Sequence, residues 1–190
     1  EAKYLRPDLA RMEGKLVVGP PEFRTTHVLD DGTLINFRSI RPTDEPRLRD
    51  LFYALSEQTI YYRFTSHMTR MPRKQVQDFV YINHRTEVAI AATITEAYGE
   101  NLIAIGRYYL EATTNMAEVA FVVRDDWQAK GIGSFLLSCL MGIAKRHGIR
   151  GFTAEVLHEN RPMQAVLNKA PCKVSAQLND DVYSYRMDFV

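Results

Sequence analysis

The stretch "VVRDDWQAKGIG", Val122 to Gly133, constrains this chain more than any other. An apolar run ends there, two acids and a tryptophan follow, and two glycines sit one residue apart. From Gly131 onward Ile132, Phe135, Leu136, Cys139, Leu140, Ile143 and Ala144 keep i, i+3, i+4, i+7 spacing. Gly148 stops that pattern after Lys145, Arg146 and His147. The reading is strand, glycine loop, long helix. A helix N-terminus carries unpaired N–H groups and a partial positive charge. Glycine lets a bulky anion come close to such a backbone. The junction is therefore a ready site for phosphate.

The rest of the chain divides around this junction. "RTTHVLDDGTLINFRSI" places Asp30-Asp31-Gly32 between two β-favouring runs, a hairpin signal. "RPTDEPRLRDLFYAL" starts a helix that Thr43 or Asp44 can cap. Pro46 is tolerated in its first turn, and Leu48, Leu51, Phe52 and Leu55 form its stripe. "SEQTIYYRF" adds a short helix, and "MPRKQVQDFVYI" starts another with Val76, Phe79 and Val80 on one face. "TEVAIAATI", "NLIAIGRYYLE" and "MAEVAFVVR" read as an antiparallel meander, with turns at Gly99-Glu100-Asn101 and Thr113-Thr114-Asn115. After the long helix come the strand "GFTAEVL", a short helix "NRPMQAVLNKA" broken by Pro171, and a closing hairpin "KVSAQLNDDVYSYRMDF". The expectation is a single α+β domain. Residues 1–24, weakly periodic around Pro20-Pro21, form an N-terminal extension or linker, and 25–190 form the domain.

A chain of 190 residues can bury roughly 70% of its unfolded surface, so no disulfide staples are needed. The net charge of +1 gives no case for a nucleic-acid or membrane surface built on bulk electrostatics. Cys139 and Cys172 have neither metal-ligand nor redox spacing, and Cys139 reads as a buried free thiol. A reducing cytoplasm is the expected location. The five histidines are scattered and read as surface or core residues, not metal ligands. No secretory signal and no run long enough to span a membrane is found. The chain begins at Glu1, which fits a piece excised or processed from a longer protein, though removal of a tag gives the same start.

Three phosphate loops compete for the glycines. A Walker A loop fails because Lys130 precedes Gly131. A dinucleotide fingerprint fails because Leu136 holds its sixth position. The pattern Gln/Arg-x-x-Gly-x-Gly/Ala is matched in full by Gln128-Ala129-Lys130-Gly131-Ile132-Gly133. That hexapeptide resembles the acyl-CoA pyrophosphate loop of the GNAT superfamily of N-acyltransferases. "AEVAFVVRDDWQAKGIGSFLL" resembles the family's central strand, loop and helix, and "FTAEVLHENRPMQAVLNKAPCKV" its following strand and helix. "INFRSIRPTDEPRLRDLF" resembles its first strand and helix, so the resemblance covers about residues 25–190. The wording is similar to GNAT domains joined to acyl-CoA synthetase or CoA-transferase modules in bacteria, some of which acetylate protein lysines.

The resemblance implies a central mixed sheet, mostly antiparallel at its start, flanked by helices and open in a V beside 116–124. It implies acetyl-CoA or coenzyme A as co-substrate, its pyrophosphate held by backbone N–H groups of Gln128, Ala129, Lys130, Gly131, Ile132, Gly133 and Ser134. Without a ligand, two glycines in a first turn would cost about 1 kcal/mol each relative to alanine. The backbone of Phe121, Val122 and Val123 is expected along the pantetheine arm; alternation puts Phe121 and Val123 on one face, toward a core. Asn160 is favoured as a helix N-cap, and the family uses it beside the same arm. Met163 lines that channel or packs in the core. Glu118, in "AEVAF", matches the position of the general base; its plain alternative is an edge salt bridge. One departure stands out. Where many members carry a tyrosine as general acid, this chain reads Ala165-Val166-Leu167, and Pro171-Cys172 replaces a Gly-aromatic pair. Nothing in the spacing makes Tyr183 or Tyr185 a substitute.

The expected activity is N-acetyl transfer from acetyl-CoA to an amine, a protein lysine, by direct attack on the thioester. A lysine amine is mostly protonated at neutral pH, and removing its proton costs about 4–5 kcal/mol, so a base is needed. Two other readings stand beside it: an idle acyl-CoA-binding module of a larger acyl-CoA-metabolising protein, and a small-amine acetyltransferase. The acceptor site falls to the early helices near "SEQTIYYRFTSHM".

Overall fold

The computed structural model describes residues 22–189 of the chain. Of the expected N-terminal extension, residues 1–21 lie outside the described residues. The first hairpin joins β1 (Arg24–Val28) to β2 (Leu34–Ser39). Gly32 closes it at φ 85°, a left-handed conformation that suits glycine. Three helices follow: α1 (Glu45–Ala54), α2 (Glu57–Phe64) and α3 (Arg73–Val80). Pro46 lies in the first turn of α1, where its missing N–H costs nothing.

Asp44 precedes α1 but makes no side-chain cap bond to it, which corrects its expected role. Its fully buried carboxylate instead takes two bonds of 2.8 Å from Arg38 of β2 and one of 2.9 Å from the Arg41 N–H. Arg38 also donates from Nε to Glu100 at 2.8 Å. The reason is desolvation: a buried guanidinium without a carboxylate costs more than a helix end without a cap.

The meander runs through β3 (Glu87–Glu96), β4 (Gly99–Glu111) and β5 (Met116–Val123), each antiparallel to the one before. Its first turn falls at Ala97-Tyr98, just ahead of the expected place, because Gly99 already pairs with Glu96. Then come α4 (Ile132–Arg146), β6 (Gly151–Leu157), α5 (Arg161–Asn168), β7 (Lys173–Asn179) and β8 (Val182–Asp188). One sheet holds all eight strands in the order β1-β2-β3-β4-β5-β6-β8-β7. Only β5 and β6 pair in parallel, so the sheet is mixed and mostly antiparallel.

Strand alternation gives the sheet two working faces. Val88, Ile90, Ala117, Val119 and Phe121 meet the apolar stripe of α4. Ala89, Ala91 and Ile105 point the other way, under α1 and α3. Gly106 sits on the α4 face, where an added Cβ would come within 2.9 Å of Phe121 and 3.2 Å of Leu140. Its missing side chain lets the long helix settle on the sheet.

The positioning event for the site is a separation of strands. β5 pairs with β6 only from Met116–Gly151 to Glu118–Thr153. Beyond that register β5 stays paired with β4 through Val123, and β6 with β8 through Leu157. The two strands therefore diverge, and a V opens between them with Glu118 and Thr153 at its vertex.

Candidate active site

Beyond the open arm of β5 the chain makes a 3-10 turn, Asp125–Trp127, and then bends sharply. Ala129 and Gly131 both take left-handed conformations, at φ 58° and φ 83°. Such alternation turns successive N–H groups to one side and makes an anion-binding concavity. The N–H groups of Ala129, Lys130 and Gly131 have no hydrogen-bond acceptor among the described residues. The first bond of α4 runs from the Phe135 N–H to the Gly131 carbonyl at 3.0 Å. The N–H groups of Ile132, Gly133 and Ser134 thus precede the helix ladder, as in any first turn. An added Cβ at Gly131 would meet nothing within 4 Å, so the constraint there is conformational. At Gly133 it would come 3.4 Å from Val166, so a small residue there eases the packing of α4 against α5.

The loop is braced from the side of α2. Gln128 donates from Nε2 to the Val123 carbonyl at 3.0 Å and to Thr59 at 3.3 Å, so its side chain is spent on holding the bend. Asp125 accepts from the Ser56 N–H at 2.9 Å, Ser56 Oγ at 2.6 Å and Thr59 Oγ1 at 2.7 Å. Burial opposes the Asp125 charge, but those bonds from Ser56 and Thr59 outweigh it and hold the carboxyl below the usual aspartate value. Lys130 is exposed and lies 5.7 Å from the Trp127 ring.

On the far arm, Asn160 caps α5, its Oδ1 accepting from the Met163 N–H at 3.2 Å. Gln164, not anticipated from the sequence, fastens that turn by donating to the carbonyls of Leu157 at 3.2 Å and His158 at 2.7 Å. Met163 is partly buried against the main core. The side chains of Phe121 and Ile132 are core, 4% and 1% exposed, so each can offer a ligand only its backbone. Tyr183 and Tyr185 sit opposite Val156 and Ala154 in register, on the α4 face. Glu118 lies on the other face, so neither tyrosine is brought beside it.

Glu118 is exposed at the vertex, and the register sets its neighbours. One row crosses four strands as Glu87, Tyr109, Glu118 and Thr153. The next row reads Ala89, Arg107, Ala120. Arg107 is 2% exposed, with its guanidinium 4.7 Å from the Phe79 ring and 4.9 Å from the Tyr109 ring. Arg63, at the end of α2, lies 5.6 Å from the same Phe79 ring. Phe79 is accordingly only partly buried, unlike Val76 and Val80 beside it. Burial raises the Tyr109 phenol above its ordinary value, with Arg107 and Arg63 pulling it back. A lone arginine in the apolar run "NLIAIGRYYLE" was the sequence signal for this cluster.

Main-chain donors at the loop, a cleft between diverging strands and a carboxylate at its vertex can together hold a diphosphate-bearing thioester and take a proton from an amine. The described residues contain no group of three or more His, Cys, Asp or Glu able to hold a metal ion. No helix among them is long and apolar enough to cross a membrane.

The chain belongs to the acetyltransferase (GNAT) family, whose model matches residues 48–170. It is therefore an acyltransferase, and acetyl-CoA is the co-substrate its loop suits. It is 33% identical over 143 residues to acetyltransferase Pat of Mycolicibacterium smegmatis, a match covering 73% of this chain and 41% of that protein. The crystal structure of the GNAT domain of S. lividans PAT superposes with a TM-score of 0.79 at 33% identity, covering 87% of this chain and 97% of that one. A cAMP-binding acyltransferase from Mycobacterium smegmatis matches with a TM-score of 0.60 at 25% identity, covering 88% of this chain and 47% of that one. The chain thus spans about two fifths to one half of these longer relatives.

Proposed function

We propose that this domain acetylates a protein lysine side chain, with the thioester held between β5 and β6 and Glu118 as general base. The observation that carries the reading is the coincidence of three features: unpaired N–H groups from Ala129 to Ser134, strand divergence after Thr153, and an exposed carboxylate at the vertex. Gln128 shapes the loop, and Lys130 stays in solvent. The backbone of Phe121, Val122 and Val123 lines the pantetheine arm, with Asn160 and Met163 across from it. Glu118 accepts a proton from the ammonium, directly or through water. The freed nitrogen attacks the thioester carbonyl, the C–N bond forms and the C–S bond breaks, and the surplus proton on the nitrogen passes through water to the departing thiolate, giving the amide and free CoA thiol. A CoA thiol has a pKa near that of cysteine, about 8.5, so the thiolate leaves without a protein acid. That accommodates a stretch Ala165-Val166-Leu167 that holds no tyrosine.

The acceptor approaches from the α1–α3 face. A cavity of about 470 Å³ lies there, lined by Tyr61, Tyr62 and His67 of the α2 region and by Glu159, next to Asn160. We further propose a cytoplasmic setting, an acetyltransferase domain spanning 25–190, and a partner module of the acyl-CoA synthetase or CoA-transferase type in the same polypeptide. The mass of the native protein tests that last point. The activity is tested by thiol release from acetyl-CoA with candidate proteins and small amines. Transfer to protein lysines supports the reading. Transfer only to small amines replaces it with small-amine acetylation. Tight CoA binding without transfer replaces it with an acyl-CoA-sensing module, the reading favoured by the absent α5 tyrosine.

A further inference from the structure

We infer that Arg63 and Arg107 form a recognition site for a carboxylate on the acceptor, one row of side chains away from Glu118; this rests on the acetyltransferase reading of the same face. Arg107 is the anomaly that calls for it. The residue is 2% exposed, yet its Nε and Nη2 are enclosed without a hydrogen-bond partner. Its nearest anion, Glu87, stands 3.5 Å from Nη2, close enough to attract but not to bond. Arg63 makes no ion pair or hydrogen bond among the described residues; its contacts are the rings of Phe64 and Phe79. Two guanidinium groups thus share one aromatic ring, with Glu87 a loose counter-ion to Arg107 and Glu118 attracting Arg63 without an ion pair. Buried polar groups in folded proteins are paired almost without exception, and buried charge more strictly still.

The electrostatics agree with the geometry. Burial lowers the Arg63 pKa, and the charge on Arg107 lowers it further, against the pull of Tyr109 and Glu118. Burial lowers Arg107 as well. Of the row-mates of Arg107, Ala89 is packed under the helices while Ala120, on the Glu118 strand, is only partly covered and carries no long side chain. Side chains two apart on a strand stand about 7 Å from each other. An acceptor amine at Glu118 and a carboxylate about that far away therefore fit opposite charges of the site. Arg63, half-buried, donates directly; Arg107, held only loosely by Glu87, adds its charge beside it. The carboxylate has two possible sources: an acidic residue flanking the acceptor lysine in a protein, or the α-carboxylate of a free amino acid.

The test compares matched acceptors with acetyl-CoA by thiol release. One pair is a lysine peptide with flanking Asp against its Asn version; the other is Nα-acetyl-lysine against Nα-acetyl-lysinamide. The carboxylate member of one pair is expected to show a KM lower by about tenfold, the scale of a charge-assisted hydrogen bond. Preference in the peptide pair assigns the protein source, and preference in the small pair the free amino acid. Arg63→Gln is expected to close the gap through KM. Arg107→Met, a buried change of similar volume, should do the same if it folds. Equal KM within both pairs, or a preference that survives Arg63→Gln, overturns the site. If no acceptor is acetylated, the same pairs are titrated calorimetrically in the presence of CoA. Equal affinity then overturns the carboxylate site. Unequal affinity retains it and removes the transferase reading alone.

Discussion

The two sides of the cleft are built from different material. The loop side presents main-chain N–H groups on consecutive residues, Ala129 to Ser134, set by two left-handed conformations and one helix start. The opposite side, where we place the acceptor, presents side chains drawn from five elements: Arg63 from α2, Phe79 from α3, Glu87 from β3, Arg107 and Tyr109 from β4, and Glu118 from β5. A main-chain site depends on φ and hardly on side-chain identity. A side-chain site depends on identity and on long-range register. Substitutions should therefore divide cleanly, those in the loop changing CoA affinity and those on the acceptor face changing transfer and acceptor KM.

The largest separation is expected at Glu118. Glu118→Gln should slow transfer by about 10²–10⁴-fold, the usual range for loss of a general base. CoA affinity by calorimetry should stay at the parent value. The defect should narrow as pH rises toward the amine pKa of about 10.4, because the acceptor then arrives neutral. A parent rate across neutral pH would remove Glu118 from the mechanism.

Gly131→Asp should weaken CoA by about 10–100-fold, since it strains a φ of 83° and sets a carboxylate where phosphate oxygens go. Unchanged CoA binding would break the main-chain side of the comparison. Asp125→Ala tests the brace between the two sides. Losing its bonds to Ser56 and Thr59 should cost about 1 kcal/mol of stability in thermal unfolding, the scale of a helix cap. It should also raise acceptor KM more than CoA Kd, because the bonds hold α2.

The same aspartate gives a pH effect. Its folded pKa lies below the unfolded value, so its contribution is full above the unfolded pKa of about 3.9 and is lost as pH falls through the folded one. Parent and Asp125→Ala unfolding midpoints should therefore converge as pH drops below about 4. A gap that persists there would detach the brace from the carboxylate. The smallest effect is expected at Lys130, whose ammonium is exposed. Lys130→Ala should alter CoA affinity by less than about fivefold, as for a surface charge.

These contrasts also explain what could be read from residues alone. The loop was legible because its constraints are local: Gly131 and Gly133 mark positions within one short stretch, and the stripe of α4 starts at once. The mixed sheet and the V follow from the family resemblance, since no local pattern says that β5 leaves β6 after Glu118, and the order of the eight strands is visible only in the structure. The local pattern allows Thr43 or Asp44 as the cap of α1 and cannot show that Asp44 is taken by Arg38, which lies on another element. Arg63 and Arg107 were passed over for the same reason. Their meeting over Phe79 depends on α2, α3 and β4 packing together, a relation that periodicity does not encode.

A cradle for CoA made of main chain reports on itself in amide NMR without any mutation. With ¹⁵N-labelled protein, saturating CoA should shift the backbone amides of Ala129 to Ser134 more than any comparable run. The amides around Arg63 and Arg107 should stay nearly still until an acceptor is added. CoA that binds while those loop amides keep their free positions would contradict the account.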